Sequence, residues 1–168
     1  LQTYAIKRFQ EASLNEIFRA MEDGIIVIDR NNEITEINAS AEKIIGIKRQ
    51  ALLGKSSKEL ISLLIDRLEE PERATNFLQK ILNDPTLNTE EDIGFREPVM
   101  QLNIKSSPIL DRFGEISGNI ITLKNITERK RMEQELRQYK EQLEMLVERR
   151  TEELKKSEEK YKALVSHA

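Results

Sequence analysis

The sequence contains no cysteine and one histidine in 168 residues. Without cysteine there is no disulfide, no thiolate metal site and no thiol nucleophile, which suits a reducing, cytoplasmic compartment. The six glycines are expected at turns, strand ends and helix ends, and none opens a phosphate-cradling loop ahead of a helix. No apolar run approaches the roughly 18 residues needed to span a bilayer, so membrane contact by this segment is not expected. A basic excess is also missing. The 27 Lys and Arg against 30 Asp and Glu leave a net charge of −3, and the short basic cluster after Glu128 is followed at once by acids. That balance argues against a nucleic-acid partner. Neither an initiator Met nor a signal peptide opens the chain, which reads as a segment of a larger polypeptide whose membrane anchorage stays open.

What is present is 38% hydrophobic and 34% charged residues, enough for one modest core and a charged extension. Leu14, Ile17, Phe18 and Met21 lie on one helical stripe, giving an amphipathic lead-in helix over residues 1–22. "GIIVIDRNNEITEIN" then reads as two short strands around turn formers Asp29 to Asn32. Ile25 to Ile28 are all apolar, so both faces of the first strand should be covered, one by the core and one by the lead-in helix or a partner chain.

Short helices follow. Asn38 is placed to cap the first and Gly46 to stop it, Ser56 and Glu59 have capping-box spacing, and Pro71 opens a helix running through Phe77 to Leu82. Met100, Leu102 and Ile104 alternate, and Asp111 to Gly114 connects them to "EISGNIITLKNI". Two strands, several helices and three strands indicate an α+β domain over residues 23–127, with one antiparallel five-stranded sheet and its helices on one face.

From Glu128 the chain is charge-rich and free of Gly and Pro. Met132, Leu136, Tyr139, Leu143 and Leu146 step by four and three, the seam of a left-handed coiled coil. Continuing that frame would put Arg150 and Glu153 in the seam, whereas restarting at Val147 picks up Leu154 and Tyr161, so the repeat contains a stutter. A homodimer joined through this seam and through Leu14, Ile17, Phe18 and Met21 is expected; the alternative is a single solvated helix with scattered leucines. Tyr161, Leu164, Val165 and Ala168 repeat the spacing of Leu14, Ile17, Phe18 and Met21, which reads residues 128–168 as a linker leading toward a second copy of the module.

The segment "DGIIVIDRNNEITEINASAEKIIGIKRQALLGKSSKEL" resembles the opening of a PAS sensory domain, and "SSPILDRFGEISGNIITLKNITERKR" resembles its closing strands. The closing segment of that family ends in Asp-Ile-Thr, and here it reads Asn125-Ile126-Thr127. Asn125 retains capping ability, with Glu128 spaced to complete a capping box worth about 1 kcal/mol, but it lacks the charge for an ion pair. "LEMLVERRTEELKKSEEKYKALV" is similar to the connectors between PAS modules, or between a PAS module and a histidine kinase core. The resemblance implies a sensor and dimerisation module of a two-component histidine kinase. It is not itself an enzyme, and Asn125, Ile126, Thr127 and Glu128 pass its state to downstream PAS or kinase domains. The alternatives are a ligand-free spacer that sets dimer geometry, or a PAS module with another output such as a cyclic-dinucleotide enzyme.

Modules that resemble this one carry flavin, haem, a thiol-linked chromophore, a small metabolite or nothing, so the cofactor is left open. Absence of cysteine excludes a covalent flavin adduct and a thiol-linked chromophore, and the lone His167, beyond the domain, argues against His-ligated haem. His167 reads as a surface helix position rather than a phosphoacceptor. Asp29, Asp92 and Asp111 fall in turns or at strand edges without metal-ligand spacing, so no metal site is expected. The resemblance places a small-molecule pocket between sheet and helices, with Phe77, Phe95, Arg96, Leu102, Ile104, Ile120 and Thr122 as its candidates. Alternation turns Arg96 toward solvent, whereas an inward Arg96 would suggest an anionic ligand. A polar-lined cavity would favour the sensor, and a core filled by Ile, Leu and Phe the spacer.

Overall fold

The computed structural model describes the backbone of residues 2–166 and their side chains except those of residues 2–5 and 9. His167 and Ala168, with the expectations placed on them, lie outside the described residues. In chain order the elements are α1 (Gln2–Ala20), β1 (Gly24–Asp29), β2 (Ile34–Ile37), α2 (Ala39–Ile45), α3 (Arg49–Leu52), α4 (Ser57–Leu64), a 3-10 turn (Ile65–Arg67), α5 (Pro71–Asn83), β3 (Thr89–Arg96), β4 (Val99–Leu110), β5 (Ile116–Asn125) and α6 (Thr127–Ser166). The strands form one antiparallel sheet in the order β2-β1-β5-β4-β3. The chain divides after Thr127 into two compact units.

Local chemistry sets the boundaries. Asn38 caps α2 by accepting from Ala41 N–H, and Gly46 ends it at φ 74°. Ser56 and Glu59 form a full capping box on α4, and Pro71 opens α5. In the β1–β2 turn the Asp29 carboxylate accepts from the amides of Asn31 (2.8 Å) and Glu33 (3.0 Å), while Asn32 takes the left-handed φ of 64°.

Register assigns the faces. Ile26 pairs with Ile121 and Gly24 with Leu123, while Leu123 also pairs with Ile104 and Leu102 with Ile93. Partners across an antiparallel pair share a face, so these side chains point together at α2–α5. There they join Ile45, Leu52, Leu64 and Ala74 in the core. On the opposite face, Ile25 is buried and Val27 half-buried. Two glycines sit inside strands rather than at the expected ends. A Cβ on Gly118 of β5 would run into the Ile28 carbonyl oxygen, and one on Gly94 of β3 would run into the Glu69 carboxylate.

The β4–β5 turn repeats the β1–β2 design. Asp111 Oδ1 accepts from the Phe113 (2.8 Å) and Glu115 (3.0 Å) amides, and Oδ2 accepts from Arg30 (3.1 Å), joining the two turns. The Phe113 amide holds the Asp111 carboxyl below its ordinary value; burial opposes it, and the Glu115 amide and the Arg30 charge add to it. A depressed folded-state pKa gives stability that is complete above the unfolded pKa of about 3.9 and is lost as pH falls through the folded value. Asp111→Asn should therefore flatten the acid limb of a urea-midpoint profile below about pH 4.

Candidate functional site

A cavity of about 100 Å³ lies between sheet and helices. Its walls are Leu60, Ile61 and Leu64 of α4, Ala74, Phe77 and Ile81 of α5, and Ile93, Phe95, Leu102, Ile104, Ile121 and Leu123 of the sheet. Ser57 supplies the one hydroxyl in the lining, and that group donates to Asn32 Oδ1 at 2.6 Å. The space is well below the roughly 300–1,000 Å³ of sites for drug-sized ligands.

Four of the seven expected pocket residues meet here: Phe77, Phe95, Leu102 and Ile104. The other three do not. Arg96 is exposed on β3 and donates to the Glu69 carbonyl (3.0 Å), so it offers no inward charge for an anion. Ile120 and Thr122 belong to the opposite face, paired with Val27 and Ile25, because side chains alternate and Ile121 and Leu123 take the inward positions. The signal for the correct phase was present. Polar Thr122 and Lys124 alternate with Leu123, while the adjacent apolar pair Ile120 and Ile121 obscures it. The contribution of α4 had no such signal, since it depends on how a helix lies over the sheet.

The joint between β5 and α6 is a single residue, Ile126, which is 2% exposed. Its N–H donates to the Gln101 carbonyl (2.8 Å), and the Gln101 N–H donates to Thr127 Oγ1 (3.0 Å). Thr127 Oγ1 in turn donates to Asn125 Oδ1 (2.6 Å), which also accepts from Thr127 N–H (3.0 Å). Asn125 thus makes an Asx turn. The expected capping box is not its device, because Glu128 commits its carboxylate to Arg131 within α6 (2.6 Å).

The Gln101 side chain, on the face of β4 opposite that of Leu102, makes a further bond. Its Nε2 donates to Glu69 Oε2 (3.0 Å), and Glu69 follows Leu68, a cavity wall residue bridged to Phe95. One residue of β4 thereby bonds both the joint and Glu69, the sequence neighbour of a cavity wall residue.

The α6 helix runs 40 residues with none of its side chains buried. Met132, Leu136, Tyr139, Leu143, Leu146 and Leu154 are 46–71% exposed, so an apolar row on this helix faces solvent in the single chain. Leu14 and Ile17 of α1 and Met21 just after it are also exposed, whereas Phe18 is half-buried. Among the described residues no cluster of His, Cys, Asp and Glu could hold a metal ion, and no helix is long and apolar enough to cross a membrane.

The strand order, the one-sided helical cover and the cavity beneath it are those of a PAS fold. The PAS fold family matches residues 12–126, and the chain belongs to it. PAS domains are sensory, non-catalytic modules. The histidine kinase AtoS of Escherichia coli K12 is 30% identical over 121 residues, a match covering 69% of this chain and 18% of that protein. The sensor kinase WalK of Staphylococcus haemolyticus is 28% identical over 142 residues, covering 79% and 22%. The chain therefore spans about a fifth of the length of these relatives. Among solved structures, the PAS domain of Bordetella pertussis BvgS aligns with a TM-score of 0.54 at 19% identity, covering 79% of this chain and 97% of that one. The PAS domain of an HTR-like protein from Haloarcula marismortui aligns at 0.51 and 19%, covering 74% and 99%.

Proposed function

We propose that this segment is the sensor and dimerisation module of a cytoplasmic part of a sensor histidine kinase, passing a small-molecule or conformational signal from cavity to α6. The observation that carries the reading is Gln101, bonded to Glu69 on one side and to Ile126 and Thr127 on the other. A shift of the cavity wall at Leu68 would reach the start of α6 through this residue. Downstream, the exposed row on α6 is the surface a second copy would cover. The stutter between Leu143 and Val147 would supply two packings whose populations a ligand could bias. The small volume of the cavity, about 100 Å³, supports a reading without haem or flavin.

The ligand-free spacer keeps some support from the apolar lining. The sequence criterion offered a polar-lined cavity or a filled core, and the protein has neither: the cavity is present and its walls are apolar. Native mass spectrometry separates the readings. A dimer retaining added mass supports the sensor, an apo dimer the spacer, and a monomer removes the dimerisation role. Leu136→Glu with Leu143→Glu should turn the dimer into a monomer, since each buries a charge in the seam.

Gly94→Ala tests the route itself. The new methyl would run into both the Glu69 carboxylate and the Gln101 side-chain amide, and so part the pair without substituting either residue. Gly94 is half-buried and the atoms in the way are the ends of flexible side chains, so stability should fall by about 1 kcal/mol. When the chain is fused through α6 to a kinase core, the substitution should weaken the response of autophosphorylation to ligand. An unchanged response would remove Glu69 from the path.

A further inference from the structure

We propose that the cavity is selective for small, uncharged, apolar molecules of about benzene's size, a statement that rests on the sensor reading above and specifies its ligand. Three observations converge on this class. The volume is about 100 Å³, below the ~150 Å³ of an engineered Leu, Ile and Phe cavity that stays dry and binds benzene or xenon. The lining holds a single hydroxyl, and Ser57 already donates it to Asn32. No charged side chain is in the lining: Arg67, 5.8 Å from the centroid of the Phe95 ring, donates to the Ile45 and Glu97 carbonyls, and Arg96 is held outside by the Glu69 carbonyl.

The chemistry of such a site is one-sided. A ligand hydroxyl or amide would lose its hydrogen bonds to water and find at most the Ser57 oxygen as an acceptor in return, and a charged group would lose far more. Ordered water is disfavoured too, because a buried water needs two to four polar partners. An apolar guest displaces nothing that is well bound and gains dispersion contacts on every side. Entry is available, since Leu60, Ile61, Ile104 and Ile121 are only partly buried although they line the cavity. Of these four, Leu60 and Ile61 belong to α4, Ile104 to β4 and Ile121 to β5.

The test is a titration of the whole chain, labelled at Ile and Leu methyls, with benzene and separately with benzoate, followed by carbon–proton correlation spectra. Benzene should give saturable shifts centred on Leu60, Ile104 and Ile121, with a Kd on the order of 1 mM or tighter. Benzoate should bind at least about 100-fold more weakly, because its carboxylate cannot be paired inside. Ala74→Leu fills the cavity from α5 and should weaken benzene binding about tenfold or more; if that variant does not fold, Ile104→Ala should instead admit the larger indole. Saturable benzoate binding as tight as that of benzene would overturn the ligand class and leave a ligand-gated sensor standing. No saturable binding of either probe would overturn the class and the ligand-gated reading together, in favour of the spacer.

Discussion

Replacing Asn38 by alanine is expected to lower the stability of the PAS unit by about 3 kcal/mol, combining a lost helix cap with unsatisfied buried amides. Asn38 is 1% exposed and its side chain is fully used. The Oδ1 atom accepts from Ile25 N–H (2.8 Å) and Ala41 N–H (2.9 Å), and Nδ2 donates to the carbonyls of Asp23 (2.9 Å) and Phe18 (3.2 Å). These are all the bonds that two lone pairs and two amide hydrogens can make. One residue thus caps α2, fixes the first strand and holds the end of α1. Alanine would strand the Ile25 amide inside, and calorimetry should show a midpoint lower by roughly 10 °C. Asn38→Asp should also destabilise, because a carboxylate would face two carbonyl oxygens with no hydrogen to donate. A loss below about 1 kcal/mol in the alanine variant would mean that water replaces the missing bonds, contrary to the buried geometry.

The largest effect on signalling is expected from Thr127→Val. Valine preserves shape while removing the acceptor for Gln101 N–H and the donor to Asn125 Oδ1. If the clamp biases two states of α6 by about 1.4 kcal/mol, its removal shifts their ratio about tenfold. In the fusion to a kinase core, the ligand response of autophosphorylation should fall to about a tenth, while the dimer persists through the unaltered seam. Asn125→Asp should move the opposite way. A carboxylate accepts both Thr127 bonds more strongly and adds about 0.5 kcal/mol of favourable charge near the start of α6. Equal responses in wild type, Thr127→Val and Asn125→Asp would exclude the joint as a relay.

The two substitutions act on residues that differ in how readily they can be identified. Thr127 stands in a tripeptide whose place between an apolar run and a charged helix is evident from order alone. Asn38 announces itself as a helix cap, but its bonds to Phe18, Asp23 and Ile25 join residues that only folding brings together.

Much of this protein was written into local order. The capping box at Ser56, the stop at Gly46, the turns at Asp29 and Asp111 and the apolar row on α6 follow from short-range sterics, hydrogen bonding and periodicity, which a sequence states directly. Resemblance to the PAS family followed from the same ordered elements. Tertiary structure alone decided three other matters. It assigned Ile121 and Leu123 rather than Ile120 and Thr122 to the cavity, because a one-residue change of phase exchanges the faces of a strand. It brought α4 over the sheet and left about 100 Å³ unfilled between them, a remainder that depends on the summed shapes of distant side chains. It also joined Glu69, Gln101 and Thr127, separated by 32 and 26 residues along the chain. No local pattern encodes that connection, since it exists only where β4 passes between the cavity wall and the start of α6.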